Sequence, residues 1–265
     1  MNKTLWPQAK MNPNAIAQSL QSFALTGNKG LAWLIDPDDV RDLIAFQELL
    51  ISLTEAPIDF ILVGGSLVQQ RNLDQVIRSI KSVLSDIPVL IFPGNAIQFS
   101  ELADGILFLS LISGRNPDLL IGQHVTVAPL LAKTTLEVLP TGYMLIDGGN
   151  HSSVQYISQT LPLPADKPEL MLATALAGKY LGLQYFYMEA GSGAHQPVPA
   201  SLIKSFKKHI QAPLLVGGGL RDLTAVKTAY QAGADVVVIG NAAASNPGLL
   251  HEIGDFLTTI RISSN

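Results

Sequence analysis

Eight short apolar runs recur along the chain, most of them closing on glycine or a polar residue. They are LAWLID (31–36), DFILVGG (59–65), PVLIFPG (88–94), GILFLSL (105–111), GYMLIDG (142–148), YFYMEAG (185–191), PLLVGGG (213–219) and DVVVIGN (235–241). Most are apolar at every position, as strands covered on both faces of a parallel sheet must be. Between them, helical spacing of apolar residues predicts helices over 39–54, 69–84, 117–131, 168–181, 199–209, 222–233 and 247–260, with one more at 11–22 ahead of the first strand. This alternation predicts an α/β fold, a (β/α)8 barrel, whose polar strand ends share the C-terminal rim where such barrels carry their active sites. One crossover is short. About ten residues, NAIQFSELAD, separate strands three and four, too few for a full helix by the usual lengths. The expected fold is therefore a modified TIM barrel with its third helix short or absent. Segment 149–168 reads as a mobile insert leading into a very apolar helix.

Composition fits one domain over residues 1–265. The chain is 48% hydrophobic and only 14% charged, enough apolar material for the core of a single barrel. No apolar run approaches the roughly 20 residues of a membrane helix, and MNKTLWPQAK has no apolar signal core, so the expectation is a cytoplasmic protein without a transmembrane segment. The absence of cysteine rules out disulfides and thiolate chemistry. A net charge of −4 without Lys/Arg clusters argues against nucleic acid as a partner and for a small molecule.

The candidate chemistry lies at the strand ends. LLVGGGLRD (214–222) and VVIGNAAA (237–244) let backbone approach a ligand closely and offer N–H groups at a helix start, where anions are favoured. Either motif alone reads better as an ordinary tight turn; together they sit where this barrel recurrently binds phosphate. In LIDPDD, Asp36 offers an oxygen ligand of the kind Mg2+ prefers, or it caps the following helix. VGGSL brings Ser66 to the neighbouring rim position, and a carboxylate with a hydroxyl there could hold a diphosphate-bound Mg2+. Tyr187 and Glu189, two apart on strand six, share a face. A carboxylate ending so apolar a strand is costly unless something meets it there, and Glu189 is either ion-paired or a general base. The histidines at 124, 151, 195, 209 and 251 show no metal-ligand spacing, and only His195, beside the Gly-Ser-Gly loop, is worth testing.

In this order LIDPDD, ILVGGSLV, LIFPGN, FLSLISGRNP, YMEAGSGA, PLLVGGGLRD and VVVIGNAA closely resemble the geranylgeranylglyceryl phosphate synthase family, over about residues 30–245. SGRNPDLLIG is similar to the second group of that family, which includes bacterial members, and the related heptaprenylglyceryl phosphate synthases share the core motifs. The resemblance implies a Mg2+-dependent prenyltransferase on a TIM barrel lacking its third helix. It would join the sn-3 hydroxyl of sn-glycerol 1-phosphate to a polyprenyl diphosphate, geranylgeranyl first among the candidates, to make an ether lipid precursor and diphosphate. Carried over by motif, Asp36 and Ser66 would ligate Mg2+. Tyr187, Met188, Glu189, Ala190, Gly191, Ser192 and Gly193, with Gly218, Gly219, Gly240 and Asn241, would bind sn-glycerol 1-phosphate, and Glu189 with Tyr187 would serve catalysis. The resemblance also implies a homo-oligomer, hexamer or dimer, and at most transient contact with a membrane surface as the lipid product leaves. A prenyl tail needs an apolar groove, expected near the missing third helix and the 168–182 helix.

Two positions depart from the family pattern. Asp39 stands where a basic residue is common, and Asn150-His151 follow strand five where another is expected. Arg115, Lys29 and Lys179 are the cations considered as substitutes. Two other readings stay open: a different phosphate-binding TIM-barrel enzyme, such as a flavin oxidoreductase or a phosphosugar isomerase, and a catalytically silent prenyl-phosphate binder.

Overall fold

The structure is a computed structural model that describes residues 14–66 and 72–262. Eight parallel strands close in chain order into a barrel: β1 (Gly30–Ile35), β2 (Phe60–Val63), β3 (Val89–Ile91), β4 (Gly105–Leu111), β5 (Glu137–Leu145), β6 (Tyr185–Glu189), β7 (Leu214–Gly217) and β8 (Val236–Ile239). The ring is completed by β1 pairing with β8. Side chains alternate across each strand. Phe60, Leu62, Leu107, Leu139, Tyr185 and Val236 fill the interior, while Trp33, Ile61, Val63 and Phe186 face the helices outside. Both faces are dry, which is why the strands read as continuous apolar runs.

The helix α1 (Ala15–Thr26) plugs the N-terminal mouth of the barrel, placing Ile16, Leu20 and Phe23 in the interior cluster. Its first N–H groups have a distant acceptor: buried Glu137 takes bonds from Ile16 N at 3.0 Å and Ala17 N at 2.7 Å. The helix ends at Gly27, whose φ of 78° supplies the left-handed cap. It therefore lies four residues beyond the expected 11–22, of which 11–13 fall outside the described residues.

The outer layer contains α2 (Leu43–Ser52), α3 (Leu73–Val83), α4 (Gln123–Leu131), α5 (Ser153–Ser158), α6 (Pro168–Tyr180), α7 (Ala200–His209), α8 (Leu223–Ala232), α9 (Asn241–Ser245) and α10 (Gly248–Ile262). As the short crossover required, residues 92–104 contain turns and no helix. Three local expectations change. The first crossover helix begins at Leu43 rather than 39, because Asp42 caps it by accepting from Ile44 N and Ala45 N. Strand five begins at Glu137, not 142, since it pairs with β4 in register from Gly105 opposite Glu137 onward. Segment 149–168 is not all loop: it holds α5 and a bridge between Ile146 and Leu163.

The end of the barrel away from the rim is tied by acids that precede strands. Asp59, Asp104 and Asp235 accept the N–H of Leu31, Val89 and Leu214, and pair with Arg261, Lys81 and Lys207 respectively. Asp235 is the most buried, its Oδ2 meeting Lys207 Nζ at 2.7 Å and Leu214 N at 2.8 Å. Breaking a buried pair strands the remaining charge, so Asp235→Ala is expected to cost roughly 3–5 kcal/mol. Urea unfolding should show a lower midpoint at unchanged slope; a midpoint like that of the parent protein would show that the pair carries no such weight.

Candidate active site

Strand β6 carries Tyr187 and Glu189 inward, side by side, up to the rim. Glu189 is only 7% exposed although it is the last residue of its strand. Its Oε1 accepts the N–H of Gly191 at 2.7 Å, and its neighbour in register on β7 is Gly217. A Cβ on Gly217 would collide with Tyr187 Oη and lie 3.0 Å from Glu189 Oε2. The glycine that ends β7 is thus demanded by the two side chains beside it, not only by a turn. Gly218 repeats the constraint, since a Cβ there would fall on Glu189 Oε1 and within 2.8 Å of Gly191 N.

Burial pushes the Glu189 carboxyl up to about 7, against the opposing bond from Gly191 N–H and the nearby Tyr187 hydroxyl. The Tyr187 hydroxyl is close enough to matter electrostatically, yet its oxygen is buried without a hydrogen bond of normal geometry. Burial, then the Glu189 charge, raises Tyr187 well above the ordinary phenol range, so it stays protonated. A carboxyl near 7 next to an unpartnered hydroxyl can bind a substrate hydroxyl and take its proton. No Lys or Arg pairs with Glu189 among the described residues, which removes the ion-pair alternative.

Beside this pair, Gly191, Ser192 and Gly193 from the loop after β6, Gly218 and Gly219 after β7, and Gly240 and Asn241 after β8 line one cavity of about 870 Å³. Ser192 Oγ bonds to Asn241 Oδ1 at 3.2 Å, joining the first and last of these loops. The α9 helix that Asn241 opens has five residues, so its dipole is slight and backbone N–H groups are what the loop offers an anion. Met188 and Ala190 are not brought to the cavity. Strand alternation turns their side chains into the outer core, leaving only their backbone near the rim.

Across the cavity lie Asp36 and Ser66. Asp36 does cap, but a 3-10 turn rather than α2: its Oδ1 accepts from Asp38 N at 3.0 Å. The other oxygen rests against Gly65, where an added Cβ would approach Oδ2 to 2.5 Å. Burial raises the Asp36 carboxyl, helped by the like charges of Asp39 and Asp38 and opposed by the Asp38 N–H. The turn that carries Ser66 is held by buried Gln98, which donates to Gly65 O at 2.8 Å and accepts from Gly65 N and Gly94 N. Among the described residues no group of three or more acids or histidines forms a metal cage. The oxygens of Asp36 and Ser66 nonetheless suit Mg2+, which usually takes one or two protein carboxylates and completes its shell with water and phosphate.

A second, apolar cavity of about 110 Å³ shares Gly65, Ser66, Phe92, Tyr143 and Val154 with the first. It runs between β4 and α4, past Phe108 and Leu111 to Val127 and buried His124. Residues 93–96 and Gln98, from the crossover without a helix, form one of its walls; α6, the other expected wall, takes no part. Phe92, Tyr143 and Tyr187 cluster with tilted rings 5.2–6.0 Å apart, Phe92 and Tyr143 lining both cavities and Tyr187 the first.

The expected substitute cations lie elsewhere. Lys29 bonds to Ala234 O at the opposite end of the barrel, Arg115 is folded onto the carbonyls of Ile112 and Gly114, and Lys179 sits in the last turn of α6. His195, exposed, and the Asn150-His151 pair also lie outside the cavity lining. Among the described residues, the cations that do line it are Arg41 and Arg221. Arg41 comes two residues after Asp39, just past LIDPDD, and Arg221 stands two residues after the last glycine, inside LLVGGGLRD. Nothing in their spacing says which way they point.

A closed parallel barrel that keeps a buried carboxylate at its C-terminal rim, among glycine loops, is built as an enzyme of the (β/α)8 class. A profile of the PcrB family matches residues 28–258. The chain belongs to the PcrB family. It is 49% identical over 234 residues to a geranylgeranylglyceryl phosphate synthase of Spirosoma linguale, covering 88% of this chain and 93% of the relative. It is 41% identical to that of Pyrococcus furiosus, over 80% of this chain and 83% of the relative. Among solved structures it is similar to (S)-3-O-geranylgeranylglyceryl phosphate synthase from Thermoplasma acidophilum in complex with sn-glycerol-1-phosphate, with a TM-score of 0.82 at 32% identity over 89% of this chain and 96% of that one. Among the described residues no helix is long and apolar enough to cross a membrane.

Proposed function

We propose that this protein transfers a polyprenyl group, geranylgeranyl being the first candidate, from its diphosphate to the sn-3 hydroxyl of sn-glycerol 1-phosphate. The observation that carries the proposal is Glu189: a buried carboxylate near pH 7, set between glycine-rich loops and the aromatic residues of an adjoining apolar groove. Glycerol phosphate would be anchored by the loops after β6, β7 and β8, with its free hydroxyl toward Glu189 and Tyr187. The prenyl tail would lie in the groove beside 93–98, with its diphosphate at the Asp36–Ser66 side. Mg2+ held by Asp36 and Ser66 would supply charge neutralisation for the departing diphosphate. The glycerol oxygen bonds to the allylic carbon as the bond from that carbon to diphosphate oxygen breaks, and Glu189 takes the hydroxyl proton. Holding both reactants in line supplies the remainder of the acceleration. Association into a homo-oligomer belongs to the same reading; Tyr156 and Leu161 at and beyond α5, and Tyr180 and Leu181 at the end of α6, are exposed apolar residues at two separate places.

The test is a Mg2+-dependent assay with radiolabelled sn-glycerol 1-phosphate and a ladder of farnesyl, geranylgeranyl and longer diphosphates, with extraction of lipid product and an EDTA control. Product with one preferred donor is the expected result. No product from protein that still binds glycerol phosphate would instead identify a silent binder. If Glu189 is the base, kcat/KM for glycerol phosphate should rise with pH and level off above about 7, as the carboxylate forms. A flat profile between pH 5.5 and 8.5, a range on the order of one to two units either side of that value, would remove Glu189 from the role.

A further inference from the structure

Arg221 reaches from the loop after β7 across to the loop after β6. Its Nη2 donates to the carbonyl oxygens of Gly193 at 3.1 Å and Ala194 at 2.7 Å. We propose that Arg221 is a positioning residue for the glycerol phosphate site: it latches the 191–194 turn in the form that offers its backbone N–H groups to the substrate phosphate. The identity of that anion rests on the functional reading above; the latch rests on geometry alone.

The turn needs a latch. Its entry is held by Gly191 N on Glu189 and its exit by His195 N and Gln196 N on Gly148 O, but between them it is closed by one hydrogen bond, Ala194 N to Gly191 O at 3.1 Å, and its two glycines stand at φ of 101° and 69°. Glycine enters that region without steric cost, but it leaves it as readily, so the unbound turn has many alternatives. The N–H groups of Ser192 and Gly193 make no hydrogen bond to the described residues, which leaves them as donors for a ligand. On one side the turn is tied to β8 through Ser192 and Asn241. On the other, its first residue and the segment just past it lie against the glycines after β7: a Cβ on Gly218 would come within 2.8 Å of Gly191 N, and one on Gly219 within 2.9 Å of both Gln196 O and Pro197 N. Contact that close permits the loops to stack yet gives residues 192–194 no directional hold toward β7. The guanidinium supplies it, spanning two successive carbonyls with a planar donor group that loses little freedom on binding. Arg221 also lines the cavity beside these loops. Pre-organising the turn lowers the ordering cost that glycerol phosphate would otherwise meet on binding.

Three measurements on the full chain test this. In Arg221→Ala, KM for sn-glycerol 1-phosphate should rise roughly tenfold or more, while KM for the prenyl diphosphate stays within about twofold and Tm within a few degrees. Arg221→Lys, which keeps the charge and some of the reach, should recover part of the loss. Hydrogen exchange at residues 191–196 without substrate should be faster in Arg221→Ala than in the parent protein. Unchanged KM for glycerol phosphate overturns the proposal. So does an equal rise in both Michaelis constants with a large fall in Tm, which would make Arg221 a general structural residue. Parent protein that binds no sn-glycerol 1-phosphate would sink the functional reading instead, and the exchange rates alone would then decide the latch.

Discussion

Glu189→Gln is expected to lower turnover by roughly a hundred- to ten-thousand-fold, the range for loss of a positioned base, while sn-glycerol 1-phosphate still binds. The amide keeps the shape of the side chain, and its oxygen can still accept the Gly191 N–H, so the loop geometry is preserved. What it loses is the ability to accept a proton. The same variant should be more stable than the parent protein above neutral pH. The folded-state carboxyl titrates near 7 and the unfolded one near 4.5. Below the unfolded value both states are protonated and no difference arises. Between the two, the folded state still holds a proton that the unfolded state has lost, so stability falls as pH rises through this window. Above 7 the parent protein carries a burial cost of roughly 3 kcal/mol that glutamine does not. Calorimetry at pH 8 should therefore show a higher Tm for Glu189→Gln, with the gain shrinking toward pH 4. Slow turnover with a raised Tm is the signature of a strained functional group. Near-normal turnover, or a Tm below that of the parent protein at pH 8, would assign the proton to another acceptor.

Gly218→Ala should abolish measurable glycerol phosphate binding, a loss on the order of a hundredfold or more if the carboxylate is displaced. Two costs combine. Gly218 has φ of 80°, where an L-residue pays roughly 1–2 kcal/mol. The new methyl would also fall on Glu189 Oε1 and press on the N–H groups of Ala190 and Gly191, which are backbone and cannot rotate aside. A control separates the two. Gly27 has φ of 78° at the end of α1, with nothing within 4 Å of an added Cβ. Gly27→Ala therefore pays the backbone cost alone, and should lose about 1 kcal/mol of stability while catalysing normally. If both alanine variants lose the same stability and both keep full activity, the contact between Gly218 and Glu189 has no catalytic importance.

These contacts mark the boundary between what the chain states locally and what folding adds. The strand pattern was legible because a parallel barrel buries both faces of each strand, so apolar runs persist wherever β structure occurs. The missing third helix was legible from length alone, since ten residues cannot cross a sheet through a helix. Asp36, Ser66, Glu189 and the glycines were legible because they end those runs, and chain order around a barrel puts successive strand ends on one rim. The helix α1 was misplaced by four residues because Glu137, some 120 positions away, supplies its first acceptors. The cations were misassigned because their direction depends on neighbouring loops: Lys29 bonds a carbonyl at the opposite end of the barrel and Arg115 those of its own loop, whereas Arg41 and Arg221 line the cavity, Arg221 while holding the carbonyls of Gly193 and Ala194. Met188 and Ala190 look equivalent to Tyr187 and Glu189 in a motif, and strand alternation separates them. The sequence by itself determined the barrel, its functional rim and the carboxylate at the end of β6. Only the closed barrel decided that this carboxylate is buried and half-protonated near neutrality, because desolvation depends on everything that surrounds a group and not on the residues beside it in the chain.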